Sequence, residues 1–311
     1  MKTVWTLDKK GLAAVTSSFF GALYSAFSNA DVVHIHAEGP AFMCWLPKLL
    51  GKKVVVTVHG LDWQREKWKQ GFGAKYIHMG EKMAVQFADE IIVLSRNVQQ
   101  YFQDTYGRKT VWIPNGVSEP EIVAPAKITE EYGLEKDGYF LFLGRLVPEK
   151  GVHYLIEAWK GLQTDKKLVI AGDPGNMPAY YEQLRHAAEG DPRIQFVGFV
   201  QGQVLEELFS NAYLYCLPSE LEGMPLSLLE ALGYGNCCLT SDIPECAEVL
   251  GGCGYLFRNK DTNDLQTVLQ MLCDHPEQIA DCKQRVKQCF VHLTWDEVTE
   301  KTLALYKNTQ K

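Results

Sequence analysis

The sequence predicts an α/β protein built from two doubly wound, parallel-sheet domains. Three observations predict it. Short apolar runs alternate with helical patterns along the chain, as expected of strands joined by helical crossovers. The alternation pauses once, at Asn115-Gly116 and the stretch Pro120 to Pro125, where a proline stands at each end and large apolar residues are few. The apolar runs are also continuous, Val54 to His59 above all, and a β-branched run of that kind reads as a strand covered on both faces.

In the first half, Val4 to Leu7 reads as a strand and Gly11 to Ser28 as a helix. Asp31 to His36 is a strand, Ala41 to Leu50 a helix, and Val54 to His59 the buried strand. Ala74 to Ala88 and Val98 to Tyr106 are helices, and Glu90 to Leu94 and Thr110 to Ile113 are strands. In the second half, strands are expected at Tyr139–Leu143, Leu168–Ala171, Ile194–Val197, Tyr213–Leu217 and Cys237–Thr240, with helices between them. Gln278 to Phe290 and Thr294-Trp295 to Lys307 close the chain as helices, with Thr294 as N-cap and Glu297 at N3. Trp295, Val298, Leu303 and Tyr306 are the expected buried stripe of the last one. Two doubly wound domains are expected to place a ligand between their carboxyl-end loops.

Composition narrows the class. A chain of 311 residues, 46% hydrophobic and 22% charged, fits one or two globular domains. Nine cysteines without a C-x-x-C pair, two of them adjacent at Cys237-Cys238, are expected to be reduced and mostly buried, and a zinc site is not expected. No basic region followed by a clean apolar core opens the chain, and no run of 18 apolar residues occurs; Gly11 to Phe27 comes nearest and is broken by Thr16, Ser17, Ser18 and Ser25. A cytoplasmic location follows as an expectation. Residues 1–118 hold 14 Lys/Arg against 9 Asp/Glu, a net +5, and residues 119–311 hold 17 against 29, a net −12. The basic half has two readings of equal weight: an anionic partner or the inner membrane face, or chance surface variation. No basic-aromatic array points to nucleic acid, and no G-x-G-x-x-G after a strand, P-loop or G-x-S-x-G is present.

The chemistry concentrates between Cys216 and Asp242. An apolar strand ends at Leu217, a polar break covers Pro218 to Glu222, and Pro225 opens a helix over Leu226 to Leu232 that Gly233 and Gly235 stop. Glu222 stands in the loop at the strand's carboxyl end, and Glu230 lies one to two turns into the helix. The N–H groups of Gly223, Met224 and Leu226, with Pro225 between them, belong to a helix start, where unpaired donors and the positive end of the dipole suit a diphosphate. A carboxylate beside such a site accepts hydrogen bonds from sugar hydroxyls. The pair of chemistries suits a nucleotide sugar. A second cluster, Gly144-Arg-Leu-Val-Pro-Glu-Lys-Gly151, follows the strand Tyr139–Leu143; Gly144 permits close backbone approach and Arg145 and Lys150 can hold a diphosphate.

These stretches carry a resemblance. Glu222 and Glu230, with Pro218-Ser219 before them and Leu229, Ala231 and Gly233 around them, resemble the E-x7-E signature of the retaining family-4 glycosyltransferases of GT-B fold. Arg145 to Gly151 resembles the G-R-x-x-x-x-K-G segment of the same family. The resemblance implies two Rossmann-like domains facing a central cleft: an acceptor-side domain at 1–118, a linker at 119–127, a nucleotide-sugar domain at 128–290, and a final helix at 291–311 that crosses back. It implies that Glu222 contacts the transferred sugar, Glu230 the nucleotide ribose, and Arg145 and Lys150 the diphosphate. His59, at the end of its strand, faces the reaction centre in similar proteins, against the plainer reading of a structural histidine. His36, Glu38 and Trp63 are kept as acceptor-side contacts. His34, His36 and His59 admit a three-histidine metal geometry, but the family is metal-independent; neither metal nor cofactor is expected. Gly172-Asp173 reads as an ordinary turn at least as readily as a ligand contact. The loop Gly60 to Gly73, rich in Trp and basic residues, resembles a segment of bacterial polysaccharide glycosyltransferases, some of which transfer rhamnose; the loop stacks on a sugar acceptor, rests on a membrane surface, or is simply pinned by Trp63 and Trp68.

The expected function is retaining transfer of a sugar from a nucleoside diphosphate donor to a glycan or lipid-linked acceptor in surface polysaccharide biosynthesis. Nothing before Asp31 resembles the family's first strand and glycine-rich loop, so the first domain is expected to be short at its amino terminus. Two other readings follow: an inactive nucleotide-sugar-binding subunit needing a partner chain for the missing strands, or a GT-B sugar-nucleotide epimerase.

Overall fold

The computed structural model describes residues 3–7, 9, 12–64, 72–175 and 177–308. The chain forms two compact units, one of residues 1–116 with 295–311 and the other of residues 117–294.

The first unit holds α1 (Leu12–Ala26), β1 (Val32–His36), α2 (Glu38–Ala41), α3 (Trp45–Leu49), β2 (Lys53–Val58), α4 (Phe72–Phe87), β3 (Glu90–Val93), α5 (Arg96–Tyr106) and β4 (Val111–Trp112). Its sheet is parallel in the order β1-β2-β3-β4. β2 is sandwiched, as its sequence requires. Val54, Val56 and Val58 join one core with Ile91, Val93 and Phe102, and Val55 joins another with Ile92 and Ile113. Ser95 caps α5 by accepting from the Val98 N–H, and Gly107 ends it in the left-handed conformation.

Three expectations change here. Residues 4–7 form no strand, and the single helix expected over 41–50 is two short helices separated by a turn. Cys253 and Cys289 are joined by a disulfide, where nine free thiols were expected; their Cα atoms are 6.4 Å apart, a separation a bridge spans. The other seven cysteines are free, and all but Cys273 are buried.

The second unit holds α6 (Lys127–Tyr132), β5 (Tyr139–Leu143), α7 (Val152–Lys160), β6 (Lys167–Ala171), α8 (Pro178–Ala188), β7 (Ile194–Gly198), α9 (Gln203–Asn211), β8 (Leu214–Leu217), α10 (Leu226–Gly233), β9 (Cys238–Ser241), α11 (Pro244–Leu250), β10 (Tyr255–Phe257), α12 (Thr262–Asp274) and α13 (Pro276–Cys289). Its parallel sheet runs β10-β9-β8-β5-β6-β7. Strand order therefore reverses between β5 and β8. In an open α/β sheet, that reversal is where carboxyl-end loops diverge and a ligand finds room. The core below it is dense: Phe140, Phe142, Trp159, Leu168, Tyr215 and Leu228 are all fully buried.

α14 (Trp295–Asn308) returns to the first unit. Val298, Leu305 and Tyr306 pack with Val55, Ile92 and Ile113. The expected stripe is thus half corrected: Trp295 and Leu303 are 44% and 48% exposed, and Leu305 takes the inward place at a seven-residue spacing from Val298. Among the described residues, no helix is long and apolar enough to cross a membrane.

Candidate active site

In the second unit, the two sequence clusters emerge on adjacent strands. Gly144-Arg145 leaves β5 and Glu222 follows β8, the two strands at the reversal. After Val147 the chain makes a 3-10 turn over Pro148–Lys150, and Gly151 ends it with φ +68. A Cβ on Gly151 would lie 1.9 Å from the Pro218 carbonyl oxygen, so only glycine lets the turn approach the end of β8 this closely. Glu220 N–H donates to Glu149 O at 2.8 Å and stitches the two loops together.

The result is an ion pair. Lys150 Nζ donates to Glu222 Oε1 at 2.6 Å, with the two side chains only 13% and 9% exposed. Ser219 Oγ donates to the same oxygen at 2.6 Å. Ser219 lies in the quoted motif, yet nothing in the sequence shows that its hydroxyl serves Glu222. A lysine ammonium has three N–H donors, so Lys150 can hold Glu222 and still present protons to an anion. Arg145 is exposed beside this pair in sequence. α10 begins with Pro225, whose carbonyl accepts from the Leu228 and Leu229 N–H groups at 3.1 Å; no side chain caps the helix start. Gly223 and Pro225 are buried, Met224 is half-buried and Leu226 is 44% exposed. Glu230 is half-buried, and burial raises its carboxyl above the ordinary value. Below the helix, the buried Tyr215 hydroxyl donates to Ser227 Oγ at 2.7 Å and fixes the helix start on the sheet.

The Gly172-Asp173 turn has a structural role. Asp173 Oδ1 accepts from the Gly175 N–H and its carbonyl accepts from Leu146 N–H at 3.0 Å. A Cβ on Gly172 would meet the Gly144 oxygen at 1.8 Å.

In the first unit, β1 and β2 bring three histidines together. The His34 and His36 rings stack at 4.3 Å, and those of His36 and His59 at 5.3 Å. His36 Nδ1 and His59 Nε2 are 3.1 Å apart. His34 is held by the Tyr306 hydroxyl at 2.5 Å and Thr57 Oγ1 at 2.7 Å. Among the described residues, no group of three or more His, Cys, Asp or Glu side chains is placed to hold a metal ion. Glu38 departs from its expected acceptor-side position: it is 1% exposed and turned into the protein. The half-buried Trp63 points its indole N–H inward, onto Glu81 Oε2 at 3.1 Å. Glu81 is fully buried in α4, and no sequence pattern singled it out. Trp68 lies outside the described residues.

His34 makes acid stability testable. Burial first, then the neighbouring His36 and His59, lowers its pKa to about 4. An unfolded histidine takes its proton near pH 6.5, so between those values the unfolded chain binds more protons and acid destabilises the fold. Allowing for its partial exposure, the loss reaches about 2 kcal/mol by pH 4. Urea unfolding at pH 7 and pH 4.5 should show this slope in the wild type and a flatter one in His34→Gln; equal slopes refute it.

Comparison with known proteins places the chain. A family model described as glycosyl transferases group 1 matches residues 126–288, and one described as glycosyltransferase family 4 matches residues 5–119. The chain belongs to the group 1 glycosyl transferases. It is 29% identical over 239 residues to the uncharacterized glycosyltransferase YqgM of Bacillus subtilis, an alignment spanning 74% of this chain and 62% of that protein. It is 28% identical over 295 residues to the D-rhamnosyltransferase WbpZ of Pseudomonas aeruginosa, covering 88% and 73% of the two chains. Among solved structures, Anabaena Alr3699/HepE in complex with UDP-glucose superposes with a TM-score of 0.83 at 17% identity, covering 98% of this chain and 85% of that one. The fold is GT-B, with two Rossmann-like domains. In this glycosyl transferase fold, the matched group 1 segment contains Arg145, Lys150, Glu222 and Glu230.

Proposed function

We propose that this chain is a retaining glycosyltransferase that moves a sugar from a nucleoside diphosphate donor to a glycan or lipid-linked acceptor in surface polysaccharide biosynthesis. The observation that carries the reading is the Lys150–Glu222 pair, 2.6 Å apart at the strand-order reversal beside the start of α10. Cation, carboxylate and helix start there offer one ligand an anion site and a hydroxyl acceptor. The HepE structure solved with UDP-glucose supports a donor of that class. The Gly60-Leu-Asp-Trp segment, with its likeness to polysaccharide enzymes, supports the acceptor class.

Charge grows on the diphosphate as the glycosidic bond breaks. Arg145, Lys150 and the N-terminal N–H groups of α10 stabilise that charge more in the transition state than in the ground state. Glu222, tethered by Lys150 and Ser219, accepts from the transferred sugar. Glu230 accepts from the ribose hydroxyls, and His59 serves the reaction centre, as the resemblance implies. The incoming hydroxyl attacks the face the diphosphate leaves and gives its proton to the departing diphosphate oxygen, which keeps the anomeric configuration.

Calorimetric titration with UDP, GDP, ADP and dTDP tests the donor half of this reading. One nucleotide should bind, and Glu230→Ala should weaken it about 10- to 100-fold, the loss of hydrogen bonds to a charged acceptor. Equal affinity in the variant removes Glu230 from the site.

A further inference from the structure

The first unit contains a buried acid pair that the proposed chemistry does not use. Glu38, the first residue of α2, is 1% exposed, and Glu81 of α4 is fully buried. Their backbones are in close contact: a Cβ on Gly80 would lie 1.9 Å from the Glu38 carbonyl oxygen. Their hydrogen bonding differs sharply. Glu81 Oε1 accepts from the Tyr101 hydroxyl at 2.9 Å and from the Tyr106 hydroxyl, and Oε2 accepts from Trp63 Nε1 at 3.1 Å. Among the described residues Glu38 Oε2 accepts from Asp62 N–H at 2.8 Å, and no donor is directed at its Oε1. Among the described residues no lysine or arginine pairs with either carboxyl, only His78 stands near Glu81, and two buried carboxylates so placed resist ionising together. The donors decide which keeps its charge. Among the described residues Glu81 meets three donors and Glu38 one, an imbalance that favours the neutral form on Glu38. Burial, followed by the hydrogen bond and charge of Glu81, pushes the Glu38 carboxyl up to about 10.

The pair ties together two strand ends. β1 ends at His36, and Glu38 follows two residues later; β2 ends at Val58, and His59 stands three residues before Asp62. The Glu38–Asp62 and Glu81–Trp63 bonds therefore fix the two segments that carry the His36–His59 contact of 3.1 Å. Between His36 and Glu38, Ala37 adopts φ 73 and ψ 155, a region that side-chain-bearing residues avoid, and its N–H is held by Thr57 O at 2.8 Å. Strain of this kind persists only where the surroundings over-determine it, and it collects at functional sites.

We propose that Glu38 and Glu81 share one proton and are positioning residues: through Asp62 and Trp63 they hold His59 against His36 in the geometry that glycosyl transfer uses. This rests on the reading of His59 as a reaction-centre residue. The other titratable groups facing the pair are Asp62, His78, Tyr101 and Tyr106; His78 Nδ1 lies 3.5 Å from Glu81 Oε1.

The test compares Glu38→Gln with Glu81→Gln in the full chain. A glutamine at 38 reproduces the protonated acid: its amide donates to Glu81 and its oxygen accepts from Asp62. A glutamine at 81 replaces one of the two oxygens that the three donors address. Infrared difference spectra at pH 7.5 should show the carbonyl stretch of a protonated carboxyl in the wild type and lose it in Glu38→Gln. The Trp63 indole N–H resonance and the His59 titration should stay in place in Glu38→Gln. In Glu81→Gln both resonances should move and UDP-glucose hydrolysis should fall more than about tenfold, with UDP affinity unchanged. Should that variant not fold, Tyr106→Phe, which removes one donor to Glu81, should move the Trp63 resonance in the same direction. No protonated-carboxyl band, or a Glu38→Gln protein as damaged as Glu81→Gln, overturns the proposal. If the wild type binds no nucleotide, the donor reading fails, and the infrared and resonance results still decide the proton and the clamp.

Discussion

Lys150→Ala should lower kcat/KM at least about 100-fold, a loss of roughly 3 kcal/mol of transition-state stabilisation. The loss falls on the chemical step because the lysine neutralises charge that is still developing. Stability should drop as well. Glu222 is only 9% exposed, and without Lys150 it is left with the Ser219 hydroxyl as its donor among the described residues. Leaving a buried carboxylate without its cation costs about 3 kcal/mol. The two effects separate in the double variant Lys150→Ala/Glu222→Gln, which should regain most of the stability and none of the activity. Urea midpoints and steady-state rates on all three proteins decide it. A stability loss with kcat/KM within about threefold of wild type would make Lys150 a structural partner of Glu222 only.

Gly151→Ala should destabilise the second unit by about 3 kcal/mol or more. A left-handed conformation with a side chain costs on the order of 1 kcal/mol, and overpacking against backbone adds about 1–3 kcal/mol. The clash is with the Pro218 carbonyl, 1.9 Å from the ideal Cβ, and backbone at a strand end cannot rotate aside. The melting temperature should fall by about 6–12 °C. Gly175→Ala is the matched control: φ is +54 there, but nothing lies within 4 Å, so only the conformational cost of about 1 kcal/mol is expected. Equal melting temperatures in the two variants would mean that the β5 and β8 loops are not held at close contact.

Both predictions use residues whose type was legible in the sequence and whose consequence was not. Gly151 stands out as the end of an R-x-x-x-x-K-G segment, but the carbonyl it must clear is that of Pro218, just past the end of β8 and far along the chain. Tyr255–Phe257 escaped notice because a three-residue edge strand has too short a period to register. Glu38 was read from the sequence as an acceptor-side contact. Its burial depends on Glu81, Trp63 and two tyrosines from separate elements, none of which its local pattern encodes. Leu303 and Leu305 are both apolar on α14, and which one faces inward is set by where Val298 and Tyr306 dock.

What the amino-acid order by itself determined is local. Runs of β-branched residues made buried strands, prolines and glycines opened and closed the helices, and the E-x7-E and Arg145–Lys150 segments stood at strand ends. These follow from forces acting within about ten residues. The tertiary structure alone decided that β8 lies beside β5. That one adjacency brings Lys150 and Glu222, 72 residues apart in sequence, to 2.6 Å. Strand order is chosen by how whole faces bury against one another, and many orders share the same local pattern. The same holds for the acid pair at Glu38 and Glu81, because a carboxyl keeps its proton only when the packing of distant elements takes water away.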